Sequence, residues 1–392
     1  PNSMSPRRLA QLREAWNQAY TEFFNHDGVT NSLSESVTPI QYYFKRYATA
    51  TNLVNVDIGG GTTDIAFSSG GHVDYITSFK FAANSLFEDS FSPINPNNGI
   101  IDYFKGNILE LLSSKPGLNE WVNIFKDNDG HPSDMASFLF SLKDNSAIKD
   151  LAREKIDFNK ILQNDEKFKI VFIVFYSAII YHIAQIIKVK GDKVPRHIAF
   201  SGNGSKTLSI LSSDKNILSR YTKVIFEKVL GHKIDTVLEI LGLEGGANPK
   251  EATCKGGLVA SADLGEAPDV LVLKDSFGSL LSSLDTYLSV TASYKQEVID
   301  GVNHFFNLIL NEIPSEFNLN DNFGVDDDSL EIARQTYAND LETYLDKGIT
   351  LSVEESGNVN NKIEDALLFY PIKGFIQALS SNINEHNKKE MV

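Results

Sequence analysis

The chain has 392 residues, 42% hydrophobic and 22% charged, a globular composition with room for two or three domains. Its 36 Lys+Arg against 51 Asp+Glu leave a formal net charge of −15, which argues against a nonspecific nucleic-acid binder and a polybasic membrane anchor, since both need a basic face. The single cysteine, Cys254, excludes an intramolecular disulfide framework and a CxxC metal site, and suits a reducing, cytoplasmic setting.

Residues 6–24 place Leu9, Leu12, Ala15, Trp16, Ala19 and Phe23 at helical spacing. The stretch Pro1 to Gln18 has no apolar core, so no signal peptide is expected there. A polar stretch leads through Val37-Thr38-Pro39-Ile40 to an aromatic-rich segment ending at Tyr47. Residues 52–58, 62–68 and 72–81 predict three strands of an antiparallel meander, turned at Gly59-Gly60-Gly61 and Gly70-Gly71. From Ala82 to Lys190 the pattern is mostly helical, with loops near 92–99 and 127–134. Inside it, Ile170 to Ile187 is an apolar run long enough to suspect a membrane span. It carries Ser177, His182 and Gln185, with lysines on both flanks. Polar groups are costly in lipid, so a buried core helix and no membrane partner are expected.

Residues 194–201 return to strand character, Gly202-Asn203-Gly204 break it, and Ser205 onward reads as a helix start. A further helix is expected over 221–230, a short strand over 236–241, and a helix opened by Asn248. Beyond about Gly265 the chain turns Ser-, Asn- and Asp-rich, with helices over 279–312, 329–346 and 362–384 and an acidic loop from Asn318 to Asp328. No internal repeat of fixed period is present.

The strongest chemical signal is Asp57-Ile58-Gly59-Gly60-Gly61-Thr62-Thr63-Asp64. Glycines between strands bring main-chain N–H groups close to an anion, because no Cβ blocks the approach. Thr62 and Thr63 add hydroxyl donors. Asp57 and Asp64 suit a hydrated Mg²⁺ that neutralises phosphate charge. A plain Gly-rich hairpin is the bland alternative, and the flanking Asp and Thr-Thr-Asp weigh against it.

The second signal is Ile198 to Lys206, a strand, a glycine turn and a helix start, where a nucleotide can meet a helix N-terminus. A P-loop is excluded, because Ser205 and Phe200 stand where its two glycines belong. The third is Asn248-Pro249-Lys250-Glu251, a capped helix start running into Gly256-Gly257, which permits close helix packing. His182 is expected as a hydrogen-bonded core residue and Cys254 as a buried thiol. Asp326 to Asp328 lacks the EF-hand order of ligands and reads as a solvated loop or helix start.

Together and in this order, the three segments resemble the second half of the actin-like ATPase superfamily of actin, sugar kinases and heat-shock chaperone ATPases. The hairpin resembles the second phosphate motif, Ile198 to Lys206 the adenosine motif, and Asn248 to Ala260 the chaperones' closing helix. Ser34 to Pro39 sits where the connecting glutamate precedes its helix. The likeness covers about residues 6–262. It implies an α/β, ribonuclease-H-like lobe (51–81 and 191–264). Residues 1–50 would form an N-terminal helix and connection, 82–190 a helical insertion, and 265–392 a mostly helical C-terminal region. It implies ATP and Mg²⁺ as ligands. Glu35 and Asp57 would position the attacking water or the metal's waters, with Asp57 and Asp64 toward the metal. Gly59, Gly60, Gly61, Thr62 and Thr63 would hold phosphates. Gly202, Asn203, Gly204, Ser205 and Lys206 would hold the adenosine, the Lys206 stem lying against the base.

This sequence departs from the family in three places. The first phosphate motif, an Asp-x-Gly-Thr hairpin, is absent, so a second lobe alone is expected, with hydrolysis only when a first lobe is present. The glycine pair after the third strand is replaced by Ala82 to Phe87. The adenosine glycine pair reads Gly202-Asn203, followed by Gly204. Two other functions stay open. One is a non-hydrolysing scaffold that binds a protein partner or self-assembles through the insertion or the C-terminal helices. The other is a small-molecule kinase.

Overall fold

The computed structural model describes residues 6–24, 35–47, 51–89, 91–92, 96–114, 117–127, 131–145, 148, 156–243, 249–259, 269–273, 279–281, 285–337 and 340–390. Asn248 lies outside them.

Helices α1 (Pro6–Phe24) and α2 (Thr38–Arg46) precede the meander β1 (Asn52–Ile58), β2 (Thr63–Ser69) and β3 (His72–Phe79). The region to residue 190 folds as α3 (Asn84–Phe87), α4 (Gly99–Ser113), α5 (Asn119–Asp127), α6 (Pro132–Ser141), α7 (Phe158–Asn164) and α8 (Lys169–Lys190). Then come β4 (His197–Ser201), α9 (Lys215–Leu230), β5 (Glu239–Leu241), α10 (Pro249–Val259) and β6 (Asp269–Val270). The remainder is α11 (Ala292–Asn307), α12 (Ile313–Glu316), α13 (Leu319–Phe323), α14 (Asp327–Tyr337), α15 (Leu341–Ser356) and α16 (Phe369–Glu390).

The fold is α/β. Six described strands form one mixed sheet in the order β5-β4-β1-β2-β3-β6, and β2 alone runs against the others. Side chains alternate across a strand, so β1 serves two layers. Val54, Val56 and Ile58 join the buried cluster of α8 and α9. Leu53 joins Ala66, Ala199 and Leu241 in a smaller cluster with Ile40 and Tyr43 of α2 and Ala252 of α10. Helix α10 lies tight on α2: a Cβ on Gly256 would come 1.7 Å from the Thr38 carbonyl oxygen. Close packing is what the paired glycines predict, with Gly256 the residue at the contact.

Helix α8 is the centre of the larger core. Every residue from Lys169 to Ile187 is buried, as a helix apolar on all sides requires. Asp165 Oδ1 accepts the Phe168 N–H at 2.9 Å before its first turn, and Gly191 closes it at φ 69°. Among the described residues, α8 is the one helix long and apolar enough to cross a membrane, and it is wholly covered by protein. Helices α14 and α16 lie on α8, and Phe369 of α16 stacks on Phe79 and Phe81 at 4.2 and 4.8 Å. The larger buried cluster thus draws on residues from 51–81, 82–190, 191–264 and beyond 265.

Several expectations need correction. His182 is buried, but neither ring nitrogen has a hydrogen-bond partner; its ring lies between Phe79 and Phe369. Burial without an acceptor pushes its pKa down to about 3. Cys254 is exposed, because α10 turns Ala252 and Gly256 inward. The helix expected over 279–312 is α-helical only from Ala292, where Thr291 caps it. Before it lie a bridge of Thr286 to Lys362 and a 3₁₀ turn at Tyr287–Ser289. Its end widens into a π segment at Leu308–Glu312, next to Pro314, which has no N–H to give an α-helical ladder. The acidic stretch 318–328 contains α13 and the start of α14. The last helix starts at Phe369 rather than 362.

Candidate functional site

The hairpin after β1 is closed by the Gly59 N–H donating to the Thr62 carbonyl at 2.9 Å. The Gly59 and Gly60 carbonyls accept from the N–H groups of Ala83 at 3.2 Å and Asn84 at 2.8 Å. The segment Ala82 to Phe87 therefore ties the hairpin to α3. Gly60, Gly61 and Thr62 are exposed at the tip. Thr63 is fully buried, and its hydroxyl donates to the Phe81 carbonyl at 2.6 Å, which directs it into the protein rather than toward a ligand.

The second element meets the first directly. Gly202 has φ 79° and ψ 155°, a conformation open essentially to glycine. A Cβ there would lie 2.3 Å from the Ile58 carbonyl oxygen and 2.4 Å from Asp57 Oδ1; one on Gly204 would lie 2.3 Å from the Gly59 carbonyl oxygen. The helix start expected at Ser205 is instead a 3₁₀ helix, Asn203–Ile210. Ser205, Thr207 and Ser209 each donate a hydroxyl to the carbonyl three residues back, all at 2.7 Å. These local bonds favour the tighter turn, and they commit the buried Ser205 hydroxyl to Gly202.

Between them lies a cavity of about 650 Å³. Gly59, Gly60 and Asn84 line it on the hairpin side, Asn203 to Thr207 on the other, and Phe87, Ser133, Ser137, Phe140, Lys143 and Asp144 from the 82–190 region. Its volume is in the ordinary range for a small-molecule site. Of the residues expected around the nucleotide, Gly59, Gly60, Asn203, Gly204, Ser205 and Lys206 share this wall. Gly61 and Thr62 stay at the tip, and Gly202 is buried against Asp57.

The acidic residues gather on the other side of the hairpin, toward α2 and α10. Strand register puts Ser201, Asp57 and Asp64 side by side across β4, β1 and β2. Glu35, exposed in the turn before α2, is close enough to act on Asp57 electrostatically. Burial pushes the Asp57 carboxyl up to about 6, Asp64 and Glu35 add to the rise, and hydrogen bonds from Ser201 and Thr253 oppose it. Sequence reading did not single out Asn55, Ser201 or Thr253. The signal that could have found Asn55 is a polar residue two positions before Asp57 in an otherwise apolar strand. Among the described residues, no three His, Cys, Asp or Glu side chains are grouped to hold a metal ion. The carboxylates suit Mg²⁺ only as it commonly binds, with most of its ligands water and phosphate.

The raised Asp57 pKa has a stability consequence. The folded chain holds this proton more tightly than the unfolded chain, so stability falls as pH rises from about 3.8 to about 6 and levels off above. Asp57→Asn should remove that fall and stabilise the protein at pH 7.5 by about 1–3 kcal/mol. Urea denaturation of both proteins at pH 4.5 and 7.5 measures it. An equal effect of the substitution at both values would refute the assignment.

No family model matches the chain, and no curated protein matches it. Among solved structures, the chain is similar to the (R)-2-hydroxyglutaryl-CoA dehydratase component A of Acidaminococcus fermentans. That match has 9% identity and a TM-score of 0.25, and covers 59% of this chain and 68% of that chain. A superposition of that quality carries no argument about fold or function.

Proposed function

We propose that the chain is a nucleotide-binding lobe of the actin-like ATPase type, with a ribonuclease-H-like sheet, that takes ATP with Mg²⁺. One observation carries the reading: the hairpin and the 202–207 turn, remote in sequence, interlock through Gly202 and Gly204 and line one cavity. The sheet supports it, since an antiparallel meander is extended beside β1 by two parallel strands. Base and ribose would occupy the cavity beside Lys206, and the phosphates would meet the exposed tip at Gly60 to Thr62. Asp57, Asp64 and Glu35 would act on the metal's waters or the attacking water. A non-hydrolysing scaffold is the second reading; it is favoured by the single phosphate-facing hairpin among the described residues. Phosphoryl transfer depends on donors clamping the phosphates, so steady-state turnover by this chain should fall far below the common ~10 s⁻¹.

Gly60→Val tests the reading. A Cβ at Gly60 meets the Asn84 side chain at 3.2 Å and nothing closer, so the fold should persist while the added bulk obstructs an anion. ATP affinity should weaken by about tenfold or more, equivalent to ~1.4 kcal/mol, with adenosine affinity unchanged. Calorimetry with and without Mg²⁺, backed by saturation-transfer NMR, measures both. A parent chain that binds neither ligand, or a variant that binds ATP as the parent does, overturns the proposal.

A further inference from the structure

Two buried polar residues beneath Asp57 have no assigned part in holding a nucleotide. Asn55 and Ser201 are both fully buried, in a layer otherwise built from Leu53, Ala66, Ala199 and Leu241. Polar side chains in such a layer are costly unless they are hydrogen-bonded. Asn55 shares a strand face with Asp57, and the parallel register of β4 brings Ser201 beside it. Asn55 Nδ2 donates to Ser201 Oγ at 3.2 Å, and Ser201 Oγ donates to Asp57 Oδ2 at 2.9 Å. A hydroxyl has one hydrogen to give. Its other acceptor, Asn55 Oδ1, is farther at 3.4 Å, and the bond to a carboxylate is the stronger kind. The other Asp57 oxygen, Oδ1, lies so close to Gly202 that a Cβ there would stand 2.4 Å away. Thr253 of α10 supplies a further hydroxyl to the carboxylate.

We infer that Ser201, aligned by Asn55, is a positioning residue that holds the Asp57 carboxylate in one orientation at the foot of the hairpin. Its usefulness to a nucleotide rests on the function proposed above; the side-chain relay itself does not. Asn55 accepts no role of its own at the site and acts only through the Ser201 hydroxyl. Ser201→Ala should leave Asp57 free to reorient and cut the Mg²⁺-dependent gain in ATP affinity by about tenfold, the scale of a hydrogen bond to a charged group.

The test is a double-mutant cycle on the intact chain: parent, Asn55→Leu, Ser201→Ala and the pair. Two readouts are taken, the Mg²⁺-dependent ATP affinity and the ¹³C-carboxyl signal of Asp57 at pH 8. Each single change should move the Asp57 signal, Ser201→Ala the more. In the Ser201→Ala background, Asn55→Leu should add nothing. Additive effects, or an Asp57 signal unmoved by Ser201→Ala, would overturn the inference. Should Asn55→Leu fail to fold, Asn55→Ala takes its place in the cycle. If the parent binds no ATP, the nucleotide reading falls, and the carbon signal alone decides whether the relay exists.

Discussion

Ile180→Asp should leave no folded protein at 25 °C. Ile180 is fully buried in α8, and all its neighbours from Lys169 to Ile187 are buried too, so an aspartate there has no route to water. An isolated carboxylate in such surroundings costs several kcal/mol even after it takes up a proton. Whole domains are stable by only about 5–15 kcal/mol. Ile180→Val, which trims one methylene, should cost about 0.5–1.5 kcal/mol and remain folded. Solubility, circular dichroism and urea midpoints of the two variants measure the contrast. An Ile180→Asp protein as soluble and as stable as its parent would place α8 outside the core.

Gly202→Val should damage stability and site together. The position combines φ 79° with a Cβ that would meet the Ile58 carbonyl and the Asp57 carboxylate at 2.3 and 2.4 Å. Neither can retreat easily, since one is backbone and the other is held by Ser201. The expected loss is about 3 kcal/mol or more, and any surviving fold should bind ATP poorly because the turn no longer seats on the hairpin. Gly61→Ala is the control. Its Cβ would meet nothing within 4 Å, so stability should change by about 0.5 kcal/mol or less. Equal denaturation midpoints for Gly202→Val and the parent would refute the interlock.

The meander was legible because its signals are local. Alternating residues and glycine turns fixed β1 to β3 to within a residue or two at most ends. The Gly59–Gly61 hairpin and its two aspartates were legible for the same reason. What local pattern could not supply was meaning that depends on distant partners. Ser205 follows a glycine turn as a helix start would, yet the hydroxyls at Ser205, Thr207 and Ser209 and the seat of Gly204 on Gly59 make a 3₁₀ turn. Thr63 reads as a phosphate donor until Phe81 is seen to take its hydrogen. Asn55 and Ser201 are ordinary polar residues until parallel register sets them together. His182 invites the assumption of a partner that the packing of Phe79 and Phe369 denies it.

The burial of α8 bears on how the chain must be made. The helix is complete at Lys190, but α14 and α16, which cover part of it, come later than residue 326. During synthesis, at roughly 5–20 residues per second, α8 therefore waits several seconds or longer before its cover has been translated. For that interval the ribosome carries an apolar segment of membrane-spanning length, open to a chaperone, to aggregation or to mistaken insertion. His182 and Gln185, polar groups inside the apolar run, lower the last of those risks by making the segment a poorer substrate for lipid.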